Sequence, residues 1–219
     1  MILESAAVRW VGKVTVLVAM GDTYPFDVTE GAAERVRWYH AAAVAAPTNS
    51  SAWPLLGIAY RDRKDYGNAE AALREAVRLD NTYAAAYGDL ATVVSEKGDL
   101  DGALAAAREA VRLAPKVPQA HSALGNALLR TGDVDGAIAA FGEAARLDPN
   151  LARAHYFLGL SLAERGRFAE ALPALRRGHD LGSKQPGWTF QSARIVAQCQ
   201  RELAKQEART APPPREVKR

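Results

Sequence analysis

Residues 118–151 read PQAHSALGNALLRTGDVDGAIAAFGEAARLDPNL, and their spacing recurs along most of the chain. His121 aligns with Trp53, Tyr87 and His155, each 34 residues from the next. Leu124 aligns with Leu56, Leu90 and Leu158, and Gly125 with Gly57, Ala91 and Gly159. Ala137 repeats as Ala69, Ala103 and Ala171, and Ala144 as Ala76, Ala110 and Gly178. A fixed period of this length, with small residues at fixed offsets, marks stacked helix–turn–helix units. The pattern predicts an all-α, right-handed α-solenoid, with a long binding face and little reason to hold a catalytic site.

The interval defines four units, 50–83, 84–117, 118–151 and 152–185, each predicted to be a helix, a short turn, a second helix and a loop. The turns are Arg63-Lys64-Asp65, Lys97-Gly98-Asp99, Thr131-Gly132-Asp133 and Arg165-Gly166-Arg167. Glycine there can end a helix in the left-handed conformation, and the aspartates can cap the next helix by accepting from its free amides. Pro115 and Pro149 stop the second helices, because proline lacks the amide donor and clashes with the preceding turn. Gly57 and Ala69 let the two helices of a hairpin touch, whereas Leu56, Tyr60, Leu73 and Leu79 fill the space between hairpins.

Both flanks depart from the period. Leu3, Ala7, Trp10, Val14 and Leu17 fall at helical spacing, Gly21-Asp22-Thr23-Tyr24-Pro25 reads as a turn, and Gly31–Ala46 reads as a helix closed by Pro47. Residues 1–49 are therefore expected to form a degenerate N-terminal capping repeat with an insertion; a strand at Val14–Met20 is the alternative. After Gln185, residues 186–210 are expected to supply a capping helix, about Trp188 to Glu207, and the proline-rich residues 211–219 a disordered tail.

The chain has 219 residues and a net charge of +3. From Glu164 onward there are 12 Lys/Arg against 6 Asp/Glu, a surplus of six, which leaves −3 for residues 1–163. No aromatic residues interleave with these basic ones, so no nucleic-acid partner is expected. The longest clean apolar stretch, Val14–Met20, falls well short of the roughly 20 residues that span a bilayer, so no stable membrane insertion is expected. The single Cys199 cannot form an internal disulfide, and with no signal-peptide pattern this points to a cytoplasmic protein.

These residues resemble the tetratricopeptide repeat family. The first unit supplies Trp53, Leu56, Gly57, Tyr60, Ala69, Leu73 and Ala76 at the family's offsets; the third supplies His121, Leu124, Gly125, Ala137, Phe141, Ala144 and Pro149. The stretch from Ala171 to Trp188 also resembles the closing segment of repeat tails on some bacterial Ser/Thr protein kinases, although no kinase signature is present. The family resemblance implies a protein or peptide partner held on a concave groove of first helices. The groove residues it implies are Ile58, Arg61, Asp62, Thr92, Ser95, Asn126, Leu129, Arg130, Tyr156 and Leu160, with an apolar patch at Leu129, Tyr156 and Leu160. The carboxylate clamp of chaperone-binding members is missing, since its positions hold Pro54, Ile58, Asp89, Gln119 and Ala123.

No catalytic residues, cofactor or metal site are expected. His121 and His155 share one repeat position, about 10 Å apart on helix-packing distances, too far to hold one ion, and read as packing residues. Gly98-Asp-Leu-Asp-Gly and Gly132-Asp-Val-Asp-Gly lack the further oxygen ligands of a calcium loop. Two other readings compete with a non-catalytic scaffold. One is an assembly or regulatory subunit docking to a larger complex or membrane through Trp10, Val14 and Leu17. The other is a scaffold remnant of a larger signalling enzyme.

Overall fold

A computed structural model describes residues 14–23, 29–185 and 188–210, and every regular element among them is a helix. The chain divides into two compact units, residues 1–133 and 134–219. The first holds α1 (14–22), α2 (Thr29–Ala45), α3 (Ala52–Asp62), α4 (Tyr66–Leu79), α5 (Ala84–Glu96), α6 (Leu100–Leu113) and α7 (Pro118–Thr131). The second holds α8 (Val134–Leu147), α9 (Ala152–Glu164), α10 (Phe168–Gly182) and α11 (Ser192–Thr210). The division falls between α7 and α8, inside the third sequence repeat.

The turns follow the expected chemistry. Asp65 and Asp99 accept from the amides of Asn68 and Gly102, at 3.3 and 2.8 Å. Gly98, Gly132 and Gly166 take φ of 90°, 85° and 71°, a region that costs an L-residue with a Cβ about 1–2 kcal/mol. Lys64 holds the same repeat offset and the same conformation, with φ 60°.

The loops between hairpins are tied by one recurring hydrogen bond. Trp53 Nε1 donates to the Pro47 carbonyl at 3.1 Å. His121 Nε2 meets the Pro115 carbonyl at 2.8 Å, and His155 Nε2 meets that of Pro149 at 3.0 Å. A carbonyl only accepts, so both imidazoles carry a proton on Nε2. Histidine thus replaces tryptophan because it keeps a ring N–H at the same reach.

Within the α3–α4 and α9–α10 hairpins the helices approach more closely than larger side chains allow. A Cβ on Gly57 of α3 would lie 2.6 Å from Leu73 Cγ of α4 and 3.3 Å from the Ala69 carbonyl. In the second unit the approach is closed from both helices. A Cβ on Gly159 would lie 2.9 Å from the Leu175 amide nitrogen, and one on Gly178 would lie 2.7 Å from that of Tyr156. Ala69, Ala103 and Ala171 are fully buried.

At the N-terminal end Val14–Met20 is helical, as the spacing of Val14 and Leu17 predicts and against the alternative of a strand, whereas the expected turn is corrected: Gly21 and Asp22 continue that helix. The reason is periodicity. Val14 and Gly21 are buried and Leu17 and Val18 partly buried, so the covered positions recur three to four residues apart. Gly21 packs against the ring of Tyr39 on α2, whose hydroxyl donates to Asp22 Oδ1 at 2.7 Å. The stripe expected to dock elsewhere also turns inward: Val14 is buried, and Leu17 packs on the same cluster as Tyr39 and Leu56. Trp10 lies outside the described residues.

At the other end α11 begins at Ser192 rather than Trp188. Trp188 and Phe190 are non-helical, and both rings contact Tyr156, at centroid distances of 5.7 and 4.8 Å. Residues two apart share a face in extended chain but not in a helix. Trp188 Nε1 also donates to Ser192 Oγ at 3.1 Å, and the same hydroxyl is hydrogen-bonded to His179 Nδ1 at 2.8 Å. The tail expected at 211–219 lies outside the described residues.

Two outcomes are expected in urea unfolding. Gly178→Ala should cost about 2 kcal/mol, because the obstacle is backbone that cannot rotate away, whereas Gly142→Ala, with nothing near its Cβ, should gain about 0.5–1 kcal/mol. Equal effects at the two sites would contradict the packing described. Lys64→Gly should gain up to about 1 kcal/mol by relieving the left-handed lysine, and a loss of stability would show that conformation to be unstrained.

Candidate interaction surface

In the first unit the first helices α3, α5 and α7 lie side by side, with α5 and α7 in the more extensive contact. Ile58, Thr92 and Asn126 occupy one repeat offset on them, and Leu129 lies one turn beyond Asn126. Thr92 is exposed, its hydroxyl donating to the Gly88 carbonyl at 3.1 Å, while Ile58, Asn126 and Leu129 are half-buried. Together they offer apolar area and hydrogen-bonding groups.

The charged positions are committed to neighbouring helices. Arg35 of α2, fully buried, donates to Asp62 Oδ2 at 2.9 Å. Arg61 reaches Asp62 Oδ1 at 3.3 Å and Asp89 Oδ1 on α5 at 2.9 Å. Further along, Arg130 of α7 donates to the Ser95 carbonyl at 2.8 Å and to Glu96 Oε1 at 3.4 Å. Guanidinium groups therefore bridge α2 to α3, α3 to α5 and α5 to α7. Burial raises the Asp89 carboxyl above its ordinary value; Arg61 opposes that shift and Asp62 adds to it.

Two residues expected on the surface are not there. Ser95 is buried, and its backbone carbonyl rather than its side chain makes the contact with Arg130. Tyr156, in the second unit, is only 5% exposed. Phe157, Trp188 and Phe190 surround its ring, so it belongs to an aromatic core. The expected patch of Leu129, Tyr156 and Leu160 loses its central member; Leu160 stays half-buried on α9.

Arg35 and Glu96 were not expected as bridge residues, and Asp89 was noted only at a position of the missing carboxylate clamp. Glu96 and Arg130 carry opposite charges at one repeat offset, 34 residues apart, a signal legible in the sequence. Arg35 lies before the regular units, where no period points to it. Among the described residues, no group of three or more His, Cys, Asp or Glu side chains could hold a metal ion. No helix among them is long and apolar enough to cross a membrane.

Arg61→Met should destabilise the protein by about 1–3 kcal/mol at neutral pH, because it leaves the half-buried Asp89 carboxylate without its partner. Asp89's pKa in the folded state is already raised, so the ionised form is the costly one: the penalty should shrink as pH falls and Asp89 protonates. Adding Asp89→Asn should recover most of the loss. A penalty independent of pH, measured by urea titration, would contradict this network.

Sequence-family models described as tetratricopeptide repeat match residues 88–152 and 122–186, and another such model matches 50–83. No curated protein matches the chain. Among solved structures, MamA is 26% identical with a TM-score of 0.60, covering 71% of this chain and 91% of its own. YrrB, described as a tetratricopeptide protein with an unusual peptide-binding site, is 22% identical with a TM-score of 0.57, covering 77% and 84%. A thermophilic tetratricopeptide protein of Thermus thermophilus is 17% identical with a TM-score of 0.70, covering 84% and 99%. The sequence interval, the helical hairpins and the matched models agree: this chain belongs to the tetratricopeptide repeat family.

Proposed function

We propose that the protein is a non-catalytic scaffold that binds a peptide or protein partner along the first-helix face of α3, α5 and α7. The observation that carries this reading is the chemistry left open on that face. Ile58 and Leu129 keep partly exposed apolar area, and Thr92 and Asn126 stand beside them. Arg61 and Arg130 are engaged with Asp62, Asp89, Ser95 and Glu96, so the face offers shape and hydrogen bonds rather than anion capture. A partner reading such a face is held by apolar anchors and by hydrogen bonds to its own polar groups. YrrB, whose peptide-binding site sits on the same fold, supports the class of ligand. The capping role proposed for residues 1–49 accords with this, because Val14 and Leu17 seal the first hairpin.

Peptides selected from a random displayed library on the full chain should lose about tenfold or more in affinity on Leu129→Glu, with far-ultraviolet circular dichroism unchanged. Retained affinity would move the site off this face.

A further inference from the structure

In the second unit α11 packs along α10 and has at most marginal contact with α9. Near its start the gap towards α9 is filled by the Trp188 and Phe190 rings, packed edge-on or tilted against Tyr156 and Phe157. One to three turns on, nothing of that bulk follows, and a cleft of about 350 Å³ remains. Leu160, Ala163, Phe168, Ile195 and Cys199 line it with apolar atoms, and Glu164, Gln198 and Glu202 complete the wall. The Cys199 thiol donates to the Phe168 carbonyl at 3.7 Å, which turns its sulfur into the wall.

The charge on this cleft has one sign. Glu164 stands on α9 and Glu202 on α11, and among the described residues no lysine, arginine or histidine lines the space. Lys205 reaches Glu202 Oε1 at 2.8 Å, so that carboxylate is partly compensated. The nearby Arg165 and Arg167 are turned to Asp135 and Glu170. An apolar floor between two carboxylates suits an apolar side chain with a cation beside it. The volume lies at the small end of ligand pockets, near 300 Å³, the scale of a side-chain anchor.

The geometry points to a second binding site, the cleft between α9 and α11, which takes a partner peptide segment bearing an apolar anchor flanked by lysine or arginine. Leu160 is one of the groove residues that the family resemblance implies, and the cleft shares no residue with the face proposed on α3, α5 and α7. Acidic flanks are selected against here, because each carboxylate of the partner would meet Glu164 or Glu202.

The chain has four isoleucines, with Ile58 on the first-helix face and Ile195 in the cleft, so an isoleucine-methyl spectrum of the full chain separates the two sites. Three blocked peptides serve as probes: a leucine pair flanked by lysines, the same pair flanked by glutamates, and lysines alone. The lysine–leucine peptide is expected to move the Ile195 methyl in a saturable way and leave Ile58 unmoved. Glu164→Lys with Glu202→Lys should weaken it about tenfold or more and turn preference to the glutamate–leucine peptide, a gain that also shows the variant is folded. The inference is overturned if Ile195 does not move, if the glutamate peptide binds wild type equally well, or if lysines alone suffice. It is also overturned if Ile195 shifts with protein concentration alone, which assigns the cleft to a second copy. A shift on removal of residues 211–219 without peptide assigns it to the chain's own basic tail and overturns it too. Movement of Ile58 alone speaks for the other face and against this one.

Discussion

Close helix contact inside the α3–α4 and α9–α10 hairpins is the constraint on which the packing around them depends. Where Gly57 faces Leu73, and where Gly159 and Gly178 face Leu175 and Tyr156, one extra methyl group would overlap its neighbour. Each glycine makes room for one bulky partner inside its hairpin, Leu73 against Gly57 and Leu175 against Gly159, while Leu90 and Val93 join the same buried cluster as Leu73. The second unit is the tighter case. Its fourth repeat carries glycine at 178, where the other repeats carry alanine, because the Tyr156 backbone comes within reach of a Cβ.

A second constraint keeps the hairpins in step. Trp53, His121 and His155 each send a ring nitrogen back six residues to a loop carbonyl, always that of a proline. A proline in the loop cannot donate, but its carbonyl is a full acceptor. The ring therefore fills space and orients the loop at once, and a change from indole to imidazole leaves the loop anchored. Further ties act across helices. Arg61 and Arg130 join successive first helices, which spends their charge internally and leaves the neighbouring Thr92, Asn126 and Leu129 to define the face.

Much of this architecture is legible in the sequence because helix pairs impose a period on residue size. Gly57, Ala69 and Ala76, and their equivalents at each interval, mark where helices touch, and the turns carry Asp65, Asp99 and the left-handed glycines. What escaped reading lies where the period ends. Tyr156 occupies a groove offset, but the aromatics after Gln185 cover it, and no internal repeat has such neighbours. At the N-terminal end the turn expected at Gly21-Asp22 gives way to helix, because burial of Val14 and Gly21 against Tyr39 keeps the helical spacing through Asp22. The cleft beside α11 was also hidden, since it comes from a helix that fails to lie against α9 as a further repeat would.

The central claim is that helix-to-helix contact inside the hairpins leaves the first helices to meet a partner. Amide hydrogen exchange of the full chain, with and without a bound selected peptide, tests it most directly. Added protection is expected on α3, α5 and α7, with α4 and α6 unchanged. Protection concentrated on α4 and α6, with the first helices unaffected, would contradict it.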